Sequence, residues 1–347
     1  MYNILIEDGL SLKQQRGVGQ YTMRLTEVLS KSFQVDVKRK KFLENIKNNI
    51  IRRLLYGLWL NTVFVFNMIL KRNVTVCFFT ATMTPIIRVP NVKYVSFIHD
   101  IRSVVHPELS TKIQNIHANF ANWTAINFSD VIVTVSDTVK NEIKNFYKIK
   151  DEKIKIVNNT SSIQNIVYDE TEKILNQFNL TSKKYLFFIG GLDKNKNVQL
   201  IINAFEKISK KYTDLKLVIG GKSGNAELFY DNSNIICTGF ISNEDIKVLY
   251  KNALIYLFPS IYEGFGIPII DAQIMQVPVI CSDIPVFHEV AGKGAVFCNL
   301  LEYDFIEAIE KIYSDKDFRN KLIMYGQKNT ERYSLQKIEK SIIEVLD

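Results

Sequence analysis

Short apolar runs rich in β-branched and aromatic residues alternate with amphipathic stretches along most of this chain, and that alternation limits the fold more than any other feature. The first series of runs is NILIE (3–7), VTVCFF (74–79), KYVSFIH (93–99), VIVTVS (131–136) and KIKIVNN (153–159). A second is KYLFFIGG (184–191), LKLVIGG (215–221), NIICTGF (234–240), ALIYLFP (253–259), PVICS (278–282) and AVFCN (295–299). Helical patterns such as GQYTMRLTEVLSKSF, NVQLIINAFEKISKKY and NEDIKVLYKNA lie between them. Strand and helix in alternation predict an α/β protein with parallel sheets covered on both faces. The series restarts near residue 184, and 347 residues exceed one ordinary core. Two doubly wound domains are therefore expected, with the polar stretch 158–184 carrying the junction.

Ligands of such sheets bind beyond the carboxyl ends of the strands. The unusual residues of this sequence fall there: Gly17 and Gly19 in RGVGQYT, His99-Asp100 after KYVSFI, Gly190-Gly191 after YLFFI, and Glu263 after ALIYLFPS. Both halves contribute, so the expected site is a cleft onto which the two domains face. In GGLDKNKNVQLIINAF a strand turns into a helix through two glycines followed by Lys194 and Lys196, which suits a phosphate. Glycines at such turns also serve purely steric ends, and neither P-loop nor GxGxxG spacing is present. In EGFGIPIID the backbone of Gly264, Phe265 and Gly266 can approach a ligand closely. Pro268 suits the first turn of the next helix. Asp271 either complements the positive end of that helix or accepts from ligand hydroxyls. Glu263 has no helix to stabilise, and a carboxylate beside exposed N–H groups suits a polyhydroxylated ligand. His99 reads as a structural histidine or a catalytic one, Asp100 as a cap, and DKD (315–317) as a helix cap rather than a metal pair.

Charge and cysteine bound the setting. Residues 1–165 hold 23 Lys+Arg against 12 Asp+Glu, and the remainder 21 against 24. The basic first half points to a polyanion or an anionic membrane, or to a general bias toward lysine. The stretch 37–72 surrounds the apolar run 54–70 with basic residues; it reads as an interfacial helix or as a core helix. Cys77, Cys237, Cys281 and Cys298 show no ligand spacing, and the start shows no secretory pattern, so a reduced, cytosolic protein is expected. No metal cluster and no covalent-hydrolase arrangement is visible.

Taken in order from residue 16 to 297, RGVGQYTMRL, SFIHDIRSVVHPE, VIVTVSDTVKNEI, GGLDKNKNVQLIINAF, TGFISNEDIKVLYKNALIYLFPSIYEGFGIPIIDA and PVICSDIPVFHEVAGKGAVF resemble glycosyltransferase family 4. That family comprises retaining, nucleotide-sugar-dependent enzymes of GT-B fold, two Rossmann-like domains across a cleft. The resemblance implies an acceptor-side domain at 1–165, a donor-binding domain at 166–330 and a C-terminal helix at 331–347 packing back on the first. Gly17 and Gly19 would line the donor diphosphate, and Lys196, beside Gly191, would hold it. Glu263, with the Gly264–Gly266 backbone, would meet the sugar hydroxyls. Asp271, replacing the second glutamate of an E-x7-E motif, would meet the ribose, and Gly239-Phe240 the base. His99 would sit near the donor sugar and the attacked carbon. Two departures bear on the donor: the second acid is Asp, and the arginine often found beside the lysine is replaced, with Gly191 and Asn195 at the corresponding positions. In MQVPV, Gln276 stands where a helix-ending glycine is usual.

The implied reaction is metal-independent, cofactor-free transfer of a sugar, with retention, to a hydroxyl of a glycan or lipid-linked oligosaccharide acceptor. The setting is bacterial capsule or O-antigen synthesis, in the cytoplasm or peripherally on the inner face of the membrane. An anionic membrane surface is a further expected partner, and nucleic acid is not. The rivals are a nucleotide-sugar epimerase of related fold and a catalytically silent partner subunit.

Overall fold

Each half of the chain builds a six-stranded, wholly parallel sheet. The computed structural model describes residues 2–8, 18–38, 43, 46, 48–71, 73–161, 163, 171–221 and 227–346. It divides into two units, Met1–Asn159 with Leu335–Asp347, and Thr160–Ser334. The first unit's strands are β1 (Asn3–Glu7), β2 (Gln34–Lys38), β3 (Val76–Phe79), β4 (Lys93–Phe97), β5 (Val131–Thr134) and β6 (Ile154–Ile156). The second unit's are β7 (Tyr185–Ile189), β8 (Lys216–Gly220), β9 (Ile235–Gly239), β10 (Ile255–Phe258), β11 (Val279–Ser282) and β12 (Ala295–Cys298). Spatial order is β2-β1-β3-β4-β5-β6 in the first sheet and β12-β11-β10-β7-β8-β9 in the second. Winding reverses between β1 and β3, and again between β7 and β10. Those are the topological switch points at which open α/β sheets bind ligands.

Eleven of these strands lie within the runs that the sequence marks, and β2 does not. Its sequence, QVDVK, lies on the sheet edge with polar residues outward, and only Val35 and Val37 lean on the core. An edge strand of this kind carries half the apolar signal of a central one.

The first unit's core gathers Ile4, Ile6, Leu25, Phe78, Val95 and Phe97 with Ile338, Ile342, Val345 and Leu346 of the C-terminal segment. Lys93 Nζ donates to Leu346 O at 2.8 Å and Tyr2 Oη to Leu346 O at 3.2 Å, fixing the chain's last turn to the sheet. The apolar run predicted within 37–72 forms the helix Ile50–Lys71, with a π turn at Leu60–Phe64. Its inner face (Tyr56, Leu60, Phe64, Val65, Met68) packs on Leu5, Cys77, Phe79 and Tyr94, so the core reading holds for that face. Residues 39–42, 44, 45, 47 and 72 of the same stretch lie outside the described residues.

Candidate functional site

At the second unit's switch point, the loops after β7 and β10 are fastened to each other. Ile261 N donates to Asn195 O at 2.7 Å, and Asn195 Nδ2, on a buried side chain, reaches Tyr262 O at 3.5 Å. The fastening brings Lys196 and Glu263 into an ion pair, with the two side chains 19% and 17% exposed. Lys196 Nζ also lies 5.2 Å from the centre of the Phe258 ring. The pair is thus largely covered while both side chains still reach solvent.

Glycine shapes the floor of the site. Gly190 N donates to Gly220 O at 3.0 Å, and a Cβ on Gly221 would come within 1.7 Å of Gly190 O, so the ends of β7 and β8 close up only with glycine there. Gly191 is exposed, and so are Gly239 and Phe240 at the end of β9, where Gly239 O accepts from Gly221 N at 2.7 Å. Gly266 has φ +122°, in the region that favours glycine, and caps the helix Ile267–Ile274 with Pro268 in its first turn. Phe265 is buried, its ring edge-on to Tyr333 with centroids 5.5 Å apart, which anchors the loop while leaving its backbone at the site. Asp271, on that helix, is only 3% exposed and accepts from Ser161 Oγ at 2.6 Å. Tyr256 stays a neutral phenol: burial pushes it well up, and the charges of Asp271 and Glu263 add to the shift.

At the first unit's switch point the groups are neutral or buried. Glu7 at the end of β1 is buried and accepts from Tyr56 Oη at 2.9 Å. Thr80 Oγ1 donates to Glu7 O at 3.0 Å, and Thr22 Oγ1 donates to Thr80 Oγ1 at 2.8 Å. His99 Nε2 donates to Thr80 O at 2.9 Å, with the ring edge-on to Tyr21, whose hydroxyl is buried with no partner among the described residues. Burial lowers the His99 pKa from its ordinary value, so the ring is neutral at pH 7. Gly19 is buried in the first turn of the helix Val18–Ser30, and Gly17 lies outside the described residues.

The structure pairs Lys196 with Glu263, places Gly191, Gly239, Phe240, Gly264, Phe265, Gly266 and Asp271 in the second unit, and holds His99 and Gly19 in the first. Sequence reasoning named Asn195 only as standing where an arginine is usual, and passed over Ser161 and Glu7. The acid pair at the end of NILIED was the only visible signal among them, since the other two act through tertiary contacts. The caps were legible: Asp100 Oδ1 accepts from Arg102 N at 2.9 Å, Asp315 Oδ1 accepts from Phe318 N at 2.8 Å, and Gln276 ends its helix at φ +58°. His106 Nδ1 lies 3.0 Å from Glu108 Oε1.

A second cationic cluster lies at the other end of the sheet, around a cavity of about 660 Å³ lined by Lys183, Lys247, Lys251 and Arg319. Lys183 Nζ donates to Lys251 O and Ala253 O at 2.7 and 2.9 Å, and Arg319 to Ile312 O at 3.0 Å. Cations there complement the negative ends of two helices.

Residues 170–329 match the family model described as glycosyl transferases group 1. The chain is 30% identical over 211 residues to the O-antigen chain mannosyltransferase RfbU of Salmonella typhimurium, covering 58% of this chain and 55% of that protein. The chain thus matches little more than half the length of that curated relative. Among solved structures, sucrose-phosphate synthase from Thermosynechococcus elongatus superposes with a TM-score of 0.76 at 12% identity, covering 100% of this chain and 98% of that one. Anabaena Alr3699/HepE, solved with UDP and glucose, gives a TM-score of 0.73 at 14% identity, covering 100% and 99%. Likeness at such identities carries the fold, which is GT-B: two α/β units, each with a parallel six-stranded sheet.

Proposed function

We propose that the chain is a glycosyltransferase that moves a sugar from a nucleoside-diphosphate donor to a hydroxyl of a growing cell-surface polysaccharide, on a lipid-linked acceptor. The observation that carries this reading is the Lys196–Glu263 pair at the β7/β10 switch point, inside the stretch that matches the glycosyl transferase model. Lys196 leaves Glu263 for the donor diphosphate and offsets its charge as the sugar departs. Glu263, released, accepts from the sugar hydroxyls. The exposed Gly239-Phe240 edge takes the base, and Asp271 takes the ribose. The acceptor oxygen bonds to the anomeric carbon on the face that the diphosphate leaves. The bond from that carbon to the phosphate oxygen breaks with its electron pair on the phosphate, which then takes the acceptor's proton. Retention follows from that geometry, and no side chain need act as base. His99, neutral, meets the donor sugar near the attacked carbon as a hydrogen-bonding group. No metal is required, because Lys196 and backbone N–H groups carry the phosphate charge.

The mannosyltransferase relative makes a nucleotide-activated mannose the first donor to test, and HepE, solved also with UDP-glucose, makes that the second. Melting temperature is measured with UDP-, GDP- and dTDP-sugars, since a ligand of the native state raises it. Release of nucleoside diphosphate is then followed with acceptor present, with and without EDTA. One donor should stabilise the protein and turn over in excess EDTA. Stabilisation by none overturns the reading, and activity lost to EDTA and restored by Mg²⁺ overturns its metal-free form.

A further inference from the structure

The helix Ile50–Lys71 is apolar outside as well as inside. Leu54, Leu58, Phe66 and Leu70 are 69%, 62%, 60% and 62% exposed, at steps of four, eight and four residues with exposed Thr62 in the gap, on the side away from the packed face. The helix Lys112–Phe128 lies alongside: its Ala121 joins the cluster of Tyr56, Leu60 and Phe64, and its His117 is near enough to Arg53 to feel that charge. That helix turns Ile116, Phe120 and Trp123 outward, with Phe120 and Trp123 stacked at 5.8 Å between centroids. The loop between the helices carries exposed Ile86 and Ile87, and is tied to both: Ile86 N donates to Asn61 Oδ1 at 2.7 Å, Thr84 N to Thr124 Oγ1 at 3.1 Å. Single exposed apolar residues are ordinary, but a contiguous group of this extent marks an interaction surface.

Charge selects the occupant. Residues 45–99 contain seven Lys or Arg and no Asp or Glu, and 112–128 contain Lys112 and no acid. Lys71 pairs with Asp36, and Arg88 with Asp130 at 2.7 Å. A second copy would bring Arg52, Arg53 and Lys112 of these helices against the same cations of its partner, whereas a bilayer with anionic headgroups offers hydrocarbon to the stripe and anions to its surround. The 22 residues are long enough to cross a membrane. Crossing, however, would strip Tyr56, Leu60, Phe64, Val65 and Met68 from the core they share with Phe79 and Tyr94.

We propose that these two helices and the loop between them form a docking surface for an anionic lipid bilayer. Ile50–Lys71 lies in the interface plane, with Leu54, Leu58, Phe66, Ile116, Phe120 and Trp123 in the acyl boundary. The surface is independent of the transfer chemistry, so loss of one leaves the other standing. The test is sedimentation of the full chain with phosphatidylcholine vesicles and with vesicles containing phosphatidylglycerol, together with tryptophan emission. Both tryptophans, Trp59 and Trp123, are on these helices. Binding to the anionic vesicles with a blue shift of emission is expected, weaker on neutral vesicles and at high salt. Leu58→Asp with Phe66→Asp, and separately Ile116→Asp with Phe120→Asp, should each weaken binding by roughly tenfold or more. Met324→Asp, at an equally exposed apolar residue of the second unit, should change nothing. Where an aspartate pair lowers the melting temperature, the corresponding serine pair is read instead. The proposal is overturned by absence of binding, by binding indifferent to both pairs, or by adsorption without a blue shift. A salt-stable dimer that the same variants dissociate, with no lipid binding, would assign the face to a second copy.

Discussion

The two units have the same doubly wound plan and furnish their switch points differently. In the second unit the loops after β7 and β10 hold a lysine and a glutamate that reach each other and solvent. In the first, the ends of β1 and β3 hold Glu7, which is fully buried on Tyr56, and a threonine that binds the backbone around it. A carboxylate in the first setting is committed to the fold, since burying it without its hydrogen bonds would cost several kcal/mol. In the second it is 17% exposed and, among the described residues, ion-paired to Lys196, so the fold does not bury it. A glutamate at each switch point, one ending β1 and the other in the loop after β10, therefore does different work, and burial tells which.

The comparison breaks most visibly if the second unit's pair proves structural. Lys196→Ala and Glu263→Ala should each lower transfer by about 10²–10³ with melting curves near those of the parent. Rates within a few-fold of the parent would leave the pair as a surface tie and move the chemistry elsewhere.

The counterpart in the first unit is Tyr56→Phe. Removing the hydroxyl takes a hydrogen bond from buried Glu7 and should cost about 1 to 3 kcal/mol of stability in urea unfolding, with the donor's affinity unchanged. It also probes the helix that carries the outward apolar stripe, since Tyr56 is one of its inward anchors. An unchanged midpoint together with lost donor binding would reverse the roles given to the two acids.

Lys196 and Glu263 were legible in the sequence because each stands beside glycines at the end of an apolar run, where charge has no packing purpose. The strand order could not be read, since alternation alone leaves the winding open, but the class of sheet could. Asn195, Ser161 and Glu7 were obscure for a common reason: an amide, a hydroxyl and an acid ending a core strand reveal their function only through partners 67, 110 and 49 residues away. The outward face of Ile50–Lys71 was half-legible. Its composition admitted both a core and an interfacial helix, and only side-chain exposure separates the two faces.

Acid should separate the units further. Burial lowers the His117 pKa to about 4, with Arg53 adding, and its Nε2 is buried with no partner among the described residues. His99 is shifted in the same direction, and both belong to the first unit. A histidine with a lowered folded-state pKa contributes stability that is complete above its unfolded value near 6.5. That stability is lost as pH falls toward the folded value, because the unfolded chain takes up the proton first. Stability should therefore fall between about pH 6.5 and 4. His117→Gln should remove about 1 to 2 kcal/mol of that fall, allowing for partial exposure of the ring. A pH dependence identical in parent and variant would exclude His117 as its source.

The smallest effect concerns Asp271, whose burial departs from the pattern set by Glu263. It is 3% exposed and receives Ser161 Oγ at 2.6 Å, so it ties the helix Ile267–Ile274 to the segment on which the chain enters the second unit. On that geometry it could be a second Glu7, wholly committed to the fold. The proposed contact with the ribose asks more of it: its other oxygen must accept from a ligand hydroxyl while Ser161 holds the first. Asparagine separates the two roles. Asp271→Asn keeps a carbonyl oxygen for Ser161 and gives up the charge and one acceptor, whereas Asp271→Ala gives up everything. If the ribose contact exists, Asn should raise the donor KM by roughly three- to tenfold with kcat little changed, the mark of binding lost equally from ground and transition states. Ser161→Ala should then produce a milder rise of the same kind, because the carboxylate stays but loses its positioning. If Asn matches the parent in KM while Ala lowers the melting temperature, Asp271 belongs with the buried acid of the first unit, and the donor's nucleoside is held by the Gly239-Phe240 edge without it.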